Sequence, residues 1–384
     1  MNSQFIRAVR DYLHRFDYIL FGLVLICCTF GLVVVASAVK SFNDHKLMVQ
    51  ILGLILGMVI YFGFTLINAD VLADFWPFIL VLEFVLILLL IPFGESGGTG
   101  NTGWIRFGSV GIQPSEFVKI MFIVLTAKHA TYLKEYKNIN SLMSLVQLTA
   151  HFAMIFLLLL VVSSDLGSCL VFMFIFLVML FAAGVKLYWF FVAFAGMAVV
   201  IPLAWNNFFT ERQKQRILAP YDSTIDPDGY GINWQPHHAK LALSSGRLTG
   251  EGLFNGTQTQ SGAVESKHAD FIYASLGEEL GMIGCCAVLL LLCLVIIRCV
   301  VVGVRSRSTF GMLICFGVAG MLFFQTFENI GMCIGLTPVI GLTLPFFSYG
   351  GSSLLSTLAG VGLVSGIYAR PKPMHPGYST LYDL

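Results

Sequence analysis

Ten long runs of apolar residues, separated by mostly short polar stretches, divide the chain. A bilayer-spanning helix needs roughly 20 mainly apolar residues. Runs that qualify lie near residues 18–39, 47–67, 75–92, 114–133, 143–162, 166–184, 187–205, 271–297, 309–328 and 352–369. This pattern predicts an all-α polytopic membrane protein, one membrane domain over residues 1–384 with ten transmembrane helices. A large polar loop, 206–270, separates the seventh span from the eighth. The first run follows a basic, polar start, Met1 to Asp17, without a small-residue cleavage pattern, so it reads as a retained anchor rather than a signal peptide. An even number of spans places both termini on one side.

Composition narrows the class. Only 11% of the 384 residues are charged and 57% are hydrophobic, against roughly 25% charged in soluble domains. A water-soluble fold is ruled out. The 34 Phe, 13 Tyr and 5 Trp exclude a disordered chain, and a net charge of +1 offers no basic field for nucleic acid. All nine cysteines lie in or beside apolar runs and read as small core residues, not as disulfides or a zinc site.

Charge placement orients the spans. With cytoplasmic termini the inner segments hold twelve basic residues: Arg7, Arg10, Arg15, Lys128, Lys134, Lys137, Lys186, Arg298, Arg305, Arg307, Arg370 and Lys372. The short outer loops hold three, Lys40, Lys46 and Arg106. That bias fits the positive-inside rule, in which long loops are not counted. The two large polar segments, Phe93 to Gln113 and Asn206 to Ala269, then face outward, and the chemistry with them.

Ionisable groups inside a membrane are costly, so each is a functional candidate. Glu116 and Lys119 lie three apart at the start of the fourth span and share a helix face. They read either as a self-neutralising pair or as a site for an anionic substrate. Asp270 closes the polar loop between aromatic neighbours, where partial desolvation raises a carboxylate toward the range of a general base. The competing reading is a helix N-cap. Capping is favoured for Asp165, and Glu278 and Glu279 read as bonded to other helices. Glu83 and Glu328 show no partner in the sequence.

The outer segments supply cations and aromatics. Arg212, Lys214 and Arg216 cluster in the long loop, where Arg suits pyrophosphate oxygens. Lys240 to Arg247 reads as an amphipathic piece able to lie on the membrane surface. His237 and His238 are adjacent, a poor spacing for one metal. Trp104 and Arg106 sit together near the interface, where Trp most often anchors. Asn329 to Gly351, rich in Gly and Pro, reads as irregular backbone lining a cleft.

In order along the chain come Gly103-Trp104-Ile105, Gln113-Pro114-Ser115-Glu116, Asp165-Leu166-Gly167, Gln215-Arg216-Ile217, Gly256-Thr257-Gln258, Asp270-Phe271-Ile272, Gly277-Glu278-Glu279-Leu280-Gly281, Asn329-Ile330-Gly331-Met332 and Leu344-Pro345-Phe346-Phe347-Ser348-Tyr349-Gly350-Gly351-Ser352. Together they resemble the SEDS family (shape, elongation, division and sporulation: RodA, FtsW, SpoVE), bacterial peptidoglycan glycosyltransferases with ten spans. The resemblance runs from about Gly31 to Ile367 and is most like RodA, in the short termini and in Gly256 to Gln260. The family usually has Leu-Pro-Glu before His-Thr-Asp, where this chain reads Ala263-Val264-Glu265 and His268-Ala269-Asp270.

The resemblance implies lipid II as donor and acceptor, at the outer face of a bacterial cytoplasmic membrane. It implies Asp270 as the catalytic base and undecaprenyl pyrophosphate as the leaving group. Trp104, Arg106, Glu116, Lys119, Arg212, Arg216, Glu265, His268 and Ser348 are then expected around the substrate, and Asp165, Glu278, Glu279, Asn329, Gly350 and Gly351 in structural roles. No resident cofactor or protein metal site is expected; a divalent cation, Mg²⁺ or Mn²⁺, would act with the pyrophosphate if one is used. A class B penicillin-binding protein, the crosslinking transpeptidase, is the expected partner. The alternative is a lipid II flippase, which moves the lipid without joining it; a third reading is a recruiting scaffold.

Overall fold

A computed structural model describes residues 10, 12, 14–40, 45–95, 102–108, 110–207, 209–222, 224–264 and 266–370. Arg7, Glu265, Lys372 and the side chain of Arg212, all singled out above, lie outside the described residues.

Long helices occupy all ten apolar runs: α1 (Tyr18–Ala38), α2 (His45–Leu66), α4 and α5 in succession (Trp76–Leu88, Leu90–Phe93), α6 (Pro114–Tyr136), α7 (Leu142–Ser163), α8 (Leu166–Ala183), α9 (Leu187–Asn207), α13 (Ile272–Arg305), α14 (Thr309–Ile334) and α15 (Gly351–Ala369). Short helices lie between them: α3 (Ala69–Asp74), then in the long loop α10 (Glu211–Leu218), α11 (Trp234–Ser245) and α12 (Thr257–Ser261). Among the described residues nine helices are long and apolar enough to cross a membrane. The exception is α6, whose Glu116, Lys119, Lys128, Lys134 and Glu135 make it the most polar of the predicted spans.

The centre of the bundle is α14 and α15. α15 lies along α2, and α14 packs on α13, α8 and α6. Close approach to α2 depends on small residues: a Cβ on Gly362 would stand 2.6 Å from the Tyr61 carbonyl oxygen. Without a hydrophobic drive in lipid, such close packing is what holds helices together. By contrast, α9 buries none of its described side chains. One end of the bundle is tied by Arg298, which pairs with Asp17 at 2.8 Å, and by Arg370, which donates to the carbonyls of Thr65, Leu66 and Ile67 at the end of α2.

Four expectations change. The irregular stretch begins at Gly335, not Asn329, because α14 continues to Ile334 and closes on Gly335 in the left-handed region. Lys240 to Arg247 is not a free surface piece: it belongs mostly to α11, which packs on α13 and α14 and buries Ala239 and Ala242. The eighth span, expected as one unbroken helix, is interrupted inside α13 at Gly281, φ 68°, ψ −168°. And a small antiparallel hairpin, β1 (Ile105–Phe107) with β2 (Val110–Ile112), interrupts the helical pattern before α6.

Candidate active site

The starts of α2, α6, α8, α13 and α15 meet at the end of the bundle opposite the Arg298–Asp17 tie. Hydrogen bonds between residues distant in sequence draw them together. The Gln113 backbone N–H, just before α6, donates to Ser352 Oγ at 3.1 Å, and its side-chain amide to Asp165 Oδ2 at 3.0 Å. Gln50 of α2 donates to the Ser348 carbonyl and accepts from the Gly350 N–H, both at 3.3 Å. Five helix amino ends, each carrying partial positive charge, therefore favour an anion here.

Asp270 stands at this junction. It does not cap α13: the N-cap position is Phe271, and no side chain caps there. Its backbone is held from three directions. Asn329 Nδ2 donates to the Asp270 carbonyl and to the Leu342 carbonyl, both at 2.7 Å. Ser348 Oγ donates to the Ala269 carbonyl at 2.7 Å while accepting from the Leu344 N–H. The Tyr349 N–H donates to the His268 carbonyl at 2.8 Å. The carboxylate lies beside Gly341, where a Cβ would be 3.5 Å from Oδ2, and the residue as a whole is half-buried. Burial pushes its pKa up to about 6, and the charge of Arg216 draws it back down. A carboxylate poised near neutrality, with its backbone fixed and its side chain free, suits proton transfer.

Arg216 reaches this region from α10, whose start is fixed by a capping box between Thr210 and Gln213. His268 faces Lys46 of α2, which donates to its Nε2 at 3.1 Å. Burial first, then the Lys46 and Lys267 charges, push His268 down to about 4. The imidazole is neutral at physiological pH and does not compete with Asp270 for a proton.

Glu116 and Lys119 are both buried and pair at 2.7 Å, and Ser356 Oγ of α15 donates to Glu116 Oε2 at 3.0 Å. Asp165 caps α8 by accepting from the Ser168 N–H at 3.0 Å. A Cβ on Gly167 would meet the Ile340 carbonyl oxygen at 2.7 Å, so only glycine lets that segment approach. Glu278 accepts from the N–H groups of Gln258 and Thr259 and from the Thr259 hydroxyl. Glu279 accepts from Ser37 Oγ at 2.7 Å and from Gln260. These two acids fasten the long loop to α13 and α1, not to chemistry. Trp104 lies over Gly111 of its own hairpin, and Arg106 is exposed.

Several participants were not legible from sequence. Lys46 reads in the sequence only as a loop base, and nothing there singles out Lys267, which is fully buried. The polar cluster Ser352, Ser353 and Ser356 at the start of a largely apolar helix is a signal that periodicity can find. Glu83 and Glu328 do have partners: His151 at 3.0 Å and the Thr337 hydroxyl at 2.7 Å. No group of three or more His, Cys, Asp or Glu able to hold a metal occurs among the described residues.

The chain was compared with known proteins. Residues 17–372 match the FtsW/RodA/SpoVE family of cell cycle proteins. The peptidoglycan glycosyltransferase MrdB of Escherichia coli (strain K12) is 32% identical over 354 residues, 91% of this chain and 92% of its own. A probable peptidoglycan glycosyltransferase FtsW of Bacillus subtilis (strain 168) is 31% identical over 382 residues, 94% and 92% of the two chains. Among solved structures, a chain of a peptidoglycan synthase complex that coordinates polymerization and crosslinking superposes with a TM-score of 0.75 at 28% identity, covering 92% of this chain and 97% of that one. The rod shape determining protein RodA of Thermus thermophilus gives a TM-score of 0.66 at 26% identity, covering 92% and 96%.

Proposed function

Because this chain belongs to the FtsW/RodA/SpoVE (SEDS) family, we infer that it is a multi-pass membrane peptidoglycan glycosyltransferase that joins lipid II into glycan strands, with Asp270 as its general base. The observation that carries the assignment of the base is the Asp270 carboxylate: unspent on capping, raised to about 6 and set where five helix starts converge. In this reading Asp270 takes the proton from the C4 hydroxyl of the acceptor GlcNAc. The freed oxygen attacks C1 of the donor MurNAc, and the bond from C1 to the undecaprenyl pyrophosphate breaks with inversion. General-base catalysis of this kind supplies roughly 10²- to 10⁴-fold, and holding both sugars in line supplies more.

The leaving pyrophosphate needs positive charge. Arg216 and the helix amino ends supply it, and the Glu116–Lys119 pair lies one turn inside the α6 start. A divalent ion, where one is used, would take most of its ligands from the phosphates, as Mg²⁺ sites with one or two carboxylates do. The end bearing Asp270 faces outward in this reading, both termini are cytoplasmic, α6 crosses as the fourth span and brings the total to ten, and the membrane is the bacterial cytoplasmic membrane. Kinship with RodA, in the Gly256 to Gln260 stretch and in the solved structure, supports a role in elongation and shape. A class B penicillin-binding protein is its partner; the likeness to a complex that couples polymerization to crosslinking supports that pairing. Purified protein given labelled lipid II is expected to yield glycan strands; lipid II moved across a vesicle membrane but left unjoined would overturn the reading in favour of transport.

A further inference from the structure

A cavity of about 700 Å³ lies between the long loop and the segment after α14, apart from the Asp270 junction. That volume is of the size that takes small ligands. One wall is aromatic: the Tyr230 ring stacks on Trp234 at 5.5 Å and 22°, and Tyr221 stands near them. The shelf is rigid. Asp226 Oδ2 accepts from the N–H groups of Gly231 and Asn233 at 3.0 and 2.9 Å, which fixes the turn carrying Tyr230 and Trp234. Trp234 Nε1 donates to the Ala263 carbonyl at 3.0 Å, and the Tyr221 hydroxyl donates to the Leu336 carbonyl at 2.8 Å across the mouth. Yet Tyr230 and Tyr221 keep 79% and 65% of their surface exposed, so the Tyr230 face turned away from Trp234 and the Tyr221 ring stay open to a ligand.

The lining also selects against other ligands. Asp226, Asp228 and Lys240 all line the space, two acids with one lysine, leaving no excess of positive charge for a pyrophosphate. Buried against a lipid tail, the same groups would lose their hydration. Free aromatic faces, electron-rich above the ring, beside scattered donors and acceptors suit the C–H faces and hydroxyls of a neutral sugar. The cavity is also near the reaction. Val339 lines it, and Gly341, two residues on, lies beside the Asp270 carboxylate, where an added Cβ would stand 3.5 Å from Oδ2, a separation of about 7 Å at most along the chain.

We propose that this cavity is a saccharide subsite, holding hexosamine units of the glycan next to the unit reacting at Asp270; this rests on the polymerase reading above. It keeps a strand in register between additions, so it governs glycan length as well as affinity. The test uses the purified full-length chain in lipid nanodiscs and chitotetraose, a soluble, uncharged β-1,4-linked GlcNAc tetrasaccharide, followed by saturation-transfer NMR. Binding is expected to weaken about tenfold in Tyr230→Ala, the equivalent of about 1.4 kcal/mol of lost ring contact, with shorter strands made from lipid II. Asp270→Asn is expected to keep tetrasaccharide binding while losing polymerisation, which separates the subsite from the catalytic reading. Unchanged binding in Tyr230→Ala and in Tyr221→Ala would overturn the subsite, and so would no measurable binding to the unsubstituted protein. A chain that binds the tetrasaccharide but never polymerises would instead overturn the catalytic reading alone.

Discussion

At the scale of single residues the account turns on protonation and on buried charge. A base must be ionised to work, so with Asp270 at about 6 the polymerisation rate is expected to rise with pH through that value and to fall away below it. Arg216 lowers this pKa. Its removal in Arg216→Gln is therefore expected to move the rising limb to higher pH, read as a shift in the rate profile at saturating lipid II. An unmoved limb would detach Arg216 from the base. Glu116 and Lys119 make a different prediction. Removing one member of a buried pair leaves an unpaired charge and costs roughly 3–5 kcal/mol, whereas replacing both can be nearly neutral. Thermal unfolding in detergent should thus show Lys119→Met destabilised and Glu116→Gln with Lys119→Met recovering. The double variant should still polymerise poorly if the pair also serves the substrate.

At the scale of elements the long loop is held by α13, through Glu278 and Glu279 and at the break at Gly281. Its positive φ and its crowding by Leu248 and Gly250, whose backbone atoms would stand 2.4–2.5 Å from a Cβ, leave room for glycine alone. Gly281→Ala is expected to cost on the order of 1–3 kcal/mol through strain and displacement and to lower activity by loosening the loop that carries Arg216, which unfolding and polymerisation assays would read together. Hydropathy made the ten helices legible because lipid demands long apolar runs with internally paired backbones. It could not show the break at Gly281, which depends on a glycine conformation rather than on polarity. Nor could it show where α14 ends, since Asn329 to Ile334 keeps helical backbone despite its glycine. The site was legible only in part for a related reason. Asp270 stood out as a carboxylate at an outer boundary, but Lys46 meets His268 across 222 residues of sequence and Gln113 meets Asp165 across 52. No local pattern encodes such partners.

For the molecule as a whole, orientation was read from basic residues and the converging end from tertiary contacts, and the two are independent. Cysteine variants at exposed positions join them. Thr224→Cys, in the long loop, is expected to react with a membrane-impermeant maleimide in intact cells, and Arg307→Cys, between α13 and α14, only after lysis. The reverse pattern would turn the Asp270 end toward the cytoplasm, where lipid II is made but strands are not built. With the orientation in hand, what remains is the bond-forming step itself. The most direct measurement follows labelled lipid II given to the purified chain and to its Asp270→Asn form, matched for unfolding temperature. The account predicts glycan strands from the first and at least a hundredfold less from the second, about the loss of a general base. Equal yields of polymer from both would contradict it.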